Sequence, residues 1–319
     1  MHEYDSFNED VICALTEAVG DEGIALVEPM SEHTTFRIGG PADVVCSPDT
    51  PEALVRVLDV CAIAGAPVTI VGNGSDLLVG DRGIRGVVVL LRDRYAKIEV
   101  SGTRIAAQAG ALLADVARAA ADAGLTGLEP LSGIPATVGG ACFMNAGAYD
   151  ASTSDVLESV ELYVPGGPDG EGARAAGEVR TVPVSELDMG YRKSRIAAEG
   201  LVVLSATFSL APGSEAQIRA DMADYQRRRE EKQPLDMPSA GSTFKRPPGH
   251  FAGKLIMDAG LRGARVGAAQ VSEKHCGFVV NTGGATAADV MGLIEHVQKE
   301  VRRQFGVELE PEVRRIGEF

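Results

Sequence analysis

The sequence predicts an α+β chain of α/β-type layers, and three observations carry that reading. Short apolar runs of strand length are interleaved with amphipathic helical patterns, the helical patterns are closed by caps, and no internal repeat is present. Thr50-Pro51-Glu52 supplies an N-cap, a proline at the first helical position and an acid at the positive end of the dipole. Leu54, Val55, Leu58 and Cys61 then share one face, and Gly65 stops the helix. A strand over 67–71 leads through GNGSD to a strand over 86–91, and Ser101-Gly102 turns a hairpin of 98–100 and 104–108. A second helix is predicted over 112–123, ending at Gly124. Segment 127–150 has no clean period and reads as a long loop. Strands resume at 156–164 and 201–210, with an exposed connection, PGGPDGEGARAAGE, between them. Ser214 caps a long polar helix running towards Pro234. A strand over 277–281 precedes a helix with a Thr286/Asp289 capping box and a stop at Gly306, and a last strand is predicted over 307–316. The boundary between two domains is placed at 212/213, giving 1–212 and 213–319, with the first part split near 65–71.

The composition narrows the function. A net charge of −15 repels polyphosphate backbones and argues against a nucleic-acid binder, so any phosphate must be gripped locally. The hydrophobic fraction of 45% and charged fraction of 24% are those of a globular protein. The 38 glycines exceed the usual share of about 7% and point to backbone that approaches something closely. Cys13, Cys46, Cys61, Cys142 and Cys276 form no Cys-x-x-Cys pair and read as reduced thiols of a cytoplasmic protein. The start, MHEYDSFNED, lacks the basic-then-apolar pattern of a secretory signal, and the apolar run 87–91 is too short to span a membrane. His2, His33, His250, His275 and His296 lack metal-ligand spacing, so no metal is expected.

Several segments could carry chemistry. Gly72–Asp76 can offer backbone N–H groups to an anion, as a nest does. A plain strand-to-turn connection reads the same way, because Leu77 stands where a dinucleotide fingerprint has its third glycine. Segment 127–150 is nearly uncharged, and two glycine clusters flank Ile134-Pro135 before Asn145-Ala146-Gly147. Such backbone can face a flat ring, although a packed interdomain turn has the same composition. The cluster Tyr191-Arg192-Lys193-Ser194-Arg195 offers guanidinium forks to a carboxylate or phosphate, or else a solvated face. Ser242 sits between Gly241 and Thr243-Phe244-Lys245 without a Gly-x-Ser-x-Gly elbow, which disfavours a hydrolase triad.

In chain order, HTTFRIGGPAD, VGNGSDLLV, GLEPLSGIPATVGGACFMNAGAY, GYRKSR, PSAGSTFKRPPGHFAGKLI and EPEVRRIG resemble the UDP-N-acetylenolpyruvoylglucosamine reductase family, over roughly 34–317. The SAGSTFKRP and SEKH segments resemble its shorter second type, so the tyrosine cap of the longer type is not carried over. The resemblance implies an FAD-binding domain of the vanillyl-alcohol-oxidase (PCMH) type, made of two α/β subdomains, then a smaller α+β substrate-binding domain. It further implies non-covalent FAD, NADPH as reductant, a UDP-sugar substrate and a monomeric cytoplasmic enzyme of peptidoglycan precursor synthesis. Gly72, Asn73, Gly74, Ser75 and Asp76 would hold the FAD diphosphate. Ser132, Gly133, Ile134, Pro135, Gly139, Gly140, Asn145, Ala146 and Gly147 would line its ring and ribityl chain. Asp76 stands where the family more often has asparagine, and its charge is tolerable beside a diphosphate if it points away to cap backbone. Arg192 matches the arginine that grips the substrate carboxylate, Ser242 the serine that protonates C2, and Glu312 the glutamate beside that carboxylate. Lys245 is a candidate cation beside Ser242, and Lys232, Lys245, Arg246 and His275 match substrate contacts.

Two other readings are weaker on the residues. FAD-linked oxidases of this fold often attach flavin through a histidine in the phosphate loop, and GNGSD has none. A non-catalytic sugar-nucleotide-binding regulator would not need Arg192, Ser242 and Glu312 together.

Overall fold

The computed structural model describes residues 9–166 and 176–319. The first eight residues and most of the PGGPDGEGARAAGE connection lie outside that range. The described chain forms two compact units that interleave in sequence. One takes the described residues of Met1–Leu26, Val44–Asn73 and Gly86–Gln226, the other Val27–Asp43, Gly74–Arg85 and Arg227–Phe319. These units divide the chain differently from a single boundary at 212/213, because two early excursions, 27–43 and 74–85, join the C-terminal residues.

The first unit is organised by one antiparallel sheet with strand order Glu178–Pro183, Leu157–Val164, Val202–Ser209, Arg104–Gln108, Ile98–Ser101. Helices α1 (Glu9–Val19), α2 (Pro51–Ala64), α3 (Leu113–Asp122), α4 (Val138–Met144) and α5 (Arg195–Glu199) accompany it. The cap signals work as read: the Thr50 side chain accepts from Ala53 N, Pro51 opens α2, and Gly65 ends it with φ 65°. Val68–Val71 runs parallel to the strand Ile84–Leu90, pairing Val68 with Val87 and Val71 with Leu90. The core joins Leu54, Val57, Val87 and Val89 to Ile105, Val116, Leu131, Val138, Leu162 and Phe208, all buried. Segment 127–150, read from the sequence as a long loop, is partly helical. A 3₁₀ turn spans Glu129–Leu131, and α4 occupies Val138–Met144. Gly139 and Gly140 mask that helix from any propensity argument. It forms because Thr137 caps it and Val138, Ala141 and Cys142 are buried.

Helix α6 (Glu215–Lys232) is long and polar, with Ile218 its buried residue. The second unit has a four-stranded antiparallel sheet in the order Ser239–Ser242, Phe278–Asn281, Ala269–Val271, Arg265–Val266. Helices α7 (Ala252–Asp258) and α8 (Ala287–Phe305) close its core around Phe36, Leu78, Phe244, Ile256, Val279, Leu293 and Val297. The capping box at Thr286 and Asp289 is present, and Gly306 ends α8 with φ 69°. The strand predicted over 307–316 is corrected. Pro311 makes only an isolated bridge to Phe244, and the regular strand is Arg314–Ile316, parallel to Leu77–Val79. The segment changes partner at its middle, where Pro311 has no N–H to continue a ladder.

Among the described residues, no helix is long and apolar enough to cross a membrane, and no group of His, Cys, Asp and Glu could hold a metal ion.

Candidate active site

In the first unit, two segments singled out from the sequence meet. Asn73 Nδ2 donates to the carbonyl oxygen of Pro135 at 2.7 Å. Gly72 lies so close to Thr137 that a Cβ built on it would sit 2.2 Å from Thr137 Oγ1. Thr137 accepts from Gly140 N and so holds the start of α4. Strand end, glycine turn and short helix thus form one packed piece. Ser132 donates from Oγ to Glu129 O at 2.7 Å, which folds the approach to Gly133, Ile134 and Pro135.

The start of α4 cannot serve an anion. Val138 N donates to Ala111 O, Gly139 N to Ala109 O and Gly140 N to Thr137 Oγ1. The glycine turn is different. Among the described residues, no acceptor engages the backbone N–H groups of Gly72, Asn73, Gly74 or Ser75. An acidic chain that leaves four consecutive donors unused has the donor set a diphosphate requires. The residues present therefore fit a nucleotide cofactor.

The cluster at 190–195 lies against the other end of α4. Gly190 and Lys193 exchange backbone hydrogen bonds at 2.9 and 3.2 Å, leaving Tyr191 and Arg192 at the tip of the turn. Arg192 is half-buried with φ 54°, and its guanidinium lies 5.0 Å from the centroid of the Tyr191 ring. Ser194 Oγ donates to Phe143 O at 2.6 Å and accepts from Ala197 N, capping α5. The side chain of Asn145 is committed within the protein, to Gly190 O and Ser154 N, although the sequence reading assigns it to the cofactor wall. Cys142, buried in the same helix, has its thiol pushed up to about 12 by burial and is inert at neutral pH.

In the second unit, Ser242 and Glu312 come together. Glu312 N donates to Thr243 O at 2.8 Å and Lys245 N to Glu310 O at 2.9 Å, so the C-terminal segment lines up beside the strand carrying the serine. On that strand Ser239 pairs with Val280 and Ser242 with Phe278, which places a bulge at Gly241, whose φ is 73°. Bulges of this kind re-aim the following side chain, and Ser242 is exposed. Gly74 has φ 62°, and a Cβ on it would lie 2.3 Å from His33 O, so glycine is required there. Thr35, in the HTTFRIGG segment but assigned no role from the sequence, ties these parts together. Its N donates to Gly74 O at 3.3 Å and its Oγ1 to Ser239 O at 2.7 Å.

The cations are individually placed. Lys245 is ion-paired with Glu310, Arg246 stacks 4.0 Å over the Phe251 ring, and Lys232 is exposed in the last turn of α6. Burial lowers the pKa of His275 below its usual 6.5. Its Nδ1 accepts from Gly277 N at 3.2 Å, so the neutral ring carries its proton on Nε2.

A glycine turn with unused N–H donors, fixed against an apolar glycine-rich wall, has the donor set of a nucleotide-cofactor-binding protein. Comparison with known proteins agrees. Residues 42–168 match the family described as FAD binding domain, and 233–316 match UDP-N-acetylenolpyruvoylglucosamine reductase, C-terminal domain. The reductase of that name from Agathobacter rectalis is 51% identical over 98% of this chain and 100% of its own length. That of Clostridium beijerinckii is 49% identical, over 92% and 93%. The crystal structure of the Thermus caldophilus enzyme superposes with a TM-score of 0.75 at 36% identity, covering 92% of this chain and 98% of that one. The chain belongs to the UDP-N-acetylenolpyruvoylglucosamine reductase family. Its fold is accordingly α+β, with an FAD-binding domain and the C-terminal domain of that reductase family.

Proposed function

We propose that this protein reduces the enolpyruvyl group of UDP-N-acetylglucosamine enolpyruvate to UDP-N-acetylmuramate, with NADPH as reductant, in cytoplasmic synthesis of peptidoglycan precursors. Residues 1–212 bind the cofactor and supply Arg192 to the substrate, and 213–319 supply the remaining substrate contacts. FAD, bound non-covalently, would supply the hydride chemistry that links NADPH to C3 of the vinyl ether. Gly72, Asn73, Gly74 and Ser75 would hold its diphosphate through N–H groups that the fold leaves unused, and Ser132–Pro135 with Gly139, Gly140, Ala146 and Gly147 would wall its ring and ribityl chain.

As C3 is reduced, negative charge develops at C2 and spreads into the carboxylate. Arg192 grips that carboxylate with its fork and stabilises the charge where it forms. Ser242 gives its hydroxyl proton to C2, and Glu312 stands beside the carboxylate where the charge develops. Lys245 is the cation that supports the serine. Its exposed pair with Glu310 costs little to exchange for a substrate anion. Lys232, Arg246 and His275 meet the UDP diphosphate and sugar, with His275 acting as a neutral Nε2–H donor. The balance is one hydride and one proton added across the double bond, NADPH leaving as NADP⁺.

The observation that carries this reading is the hydrogen bond from Glu312 N to Thr243 O, which brings the Glu312 backbone to the residue that follows Ser242. The test is Ser242→Ala in anaerobic stopped flow. Flavin bleaching by NADPH is expected to persist, while reoxidation by the enolpyruvyl substrate slows by roughly 10²- to 10⁴-fold. Reoxidation at the wild-type rate would show that another group delivers the proton.

A further inference from the structure

We propose that Asn145 is a positioning residue for Arg192 and not a contact to the flavin. The inference rests on the reading of Arg192 as the carboxylate-binding group. Asn145 is the C-cap of α4, with φ 43° and ψ 59°, and is only 6% exposed. Both ends of its amide are spent inside the first unit. Nδ2 donates to Gly190 O at 3.2 Å, across 45 residues of sequence, and Oδ1 accepts from Ser154 N at 3.0 Å. The orientation of the amide follows from these partners, since a flipped amide would set oxygen against oxygen and N–H against N–H.

What the amide holds is the turn bearing Arg192. Gly190 and Lys193 close that turn with two backbone hydrogen bonds, so the Arg192 backbone can move only if the turn moves. Arg192 is in the left-handed region at φ 54°, which is strained for a residue that bears a side chain. A strained tip relaxes unless its base is held. Arg195 N, donating to Leu187 O, closes the base, and two ties bind it to α4: Asn145 grips Gly190 before the tip, and Ser194 Oγ grips Phe143 O after it. Both anchor points belong to the last turn and cap of α4. The helix next to the proposed cofactor wall therefore also sets where the backbone carries Arg192. Aspartate, serine or alanine cannot replace this amide, because the site needs a donor towards Gly190 and an acceptor towards Ser154 in one short planar group.

The test uses the holoenzyme and two variants. Asn145→Asp keeps the acceptor for Ser154 N but removes the donor to Gly190. Asn145→Gly removes the side chain while suiting the left-handed backbone. Binding of the enolpyruvyl UDP-sugar to the oxidised enzyme is measured by calorimetry, reoxidation by stopped flow, and FAD per chain from the visible spectrum. A displaced guanidinium is expected to weaken binding and slow reoxidation by roughly 10- to 100-fold, with FAD per chain unchanged. In an Arg192→Ala background, Asn145→Asp is expected to add no further loss. Equal losses in both backgrounds, or release of FAD by either variant, would overturn the proposal. So would wild-type behaviour of both Asn145 variants beside a defective Arg192→Ala. An undamaged Arg192→Ala would overturn the role of Arg192 itself.

Discussion

Asn73 donates its side-chain amide to the carbonyl of Pro135 at 2.7 Å, joining segments 62 residues apart. The bond fixes the glycine turn to the wall that follows it, and Gly72 seats against Thr137 beside it. The turn and the α4 cap are therefore one structural piece.

Gly72→Ala is expected to break that piece. The new methyl would meet Thr137 Oγ1 at 2.2 Å, so the α4 cap must shift, at roughly 1–3 kcal/mol. Asn73→Ala loses one neutral hydrogen bond, about 1 kcal/mol, and FAD affinity is expected to fall about fivefold. Fluorescence titration of apoprotein with FAD and thermal melting read both effects. Unchanged melting and affinity in Gly72→Ala would show that the turn is not built on this contact.

The start of α8 is held by a residue far away in sequence. Asp81 accepts from Ala287 N at 2.7 Å and from Ala288 N at 3.0 Å. Its carboxylate satisfies two orphan donors and faces the positive end of the helix dipole. Asp81→Ala is expected to cost about 2 kcal/mol in urea unfolding, more than the ~1 kcal/mol for Thr286→Ala. A loss below that of Thr286→Ala would contradict this ranking.

His275 gives the second unit a pH dependence. Its pKa in the folded protein is lowered by burial, so the unfolded chain takes up a proton first as pH falls. The stabilisation is complete above the unfolded value near 6.5 and is lost below it, down to the lowered folded value. His275→Gln is expected to flatten the fall in melting temperature across this window. An identical fall in the variant would mean that another group governs it.

Elements with their own end signals were legible in the sequence. Helix α2 between Thr50 and Gly65 and helix α8 between Thr286 and Gly306 carry caps that act within four residues. Helix α4 was not legible, because Gly139 and Gly140 oppose a helix that burial and the Thr137 cap impose. The last strand failed for a related reason. Its partners, Phe244 and Leu77–Val79, lie far away in sequence, and local pattern cannot show that a segment divides between two of them. Within the candidate site, glycine-rich segments announce themselves by composition, so 72–76 and 132–147 stand out in the sequence. Thr35 and the internal use of Asn145 do not, because a threonine or an amide looks the same whether it holds a ligand or its own chain.

The most direct test of the central claim is the visible spectrum of the purified protein, followed by anaerobic additions. The account predicts a flavin band that acid releases into solution, that NADPH bleaches, and that UDP-N-acetylglucosamine enolpyruvate then restores mole for mole without oxygen. A protein that binds no flavin, or whose reduced flavin is restored by oxygen but not by the enolpyruvyl sugar nucleotide, would contradict it.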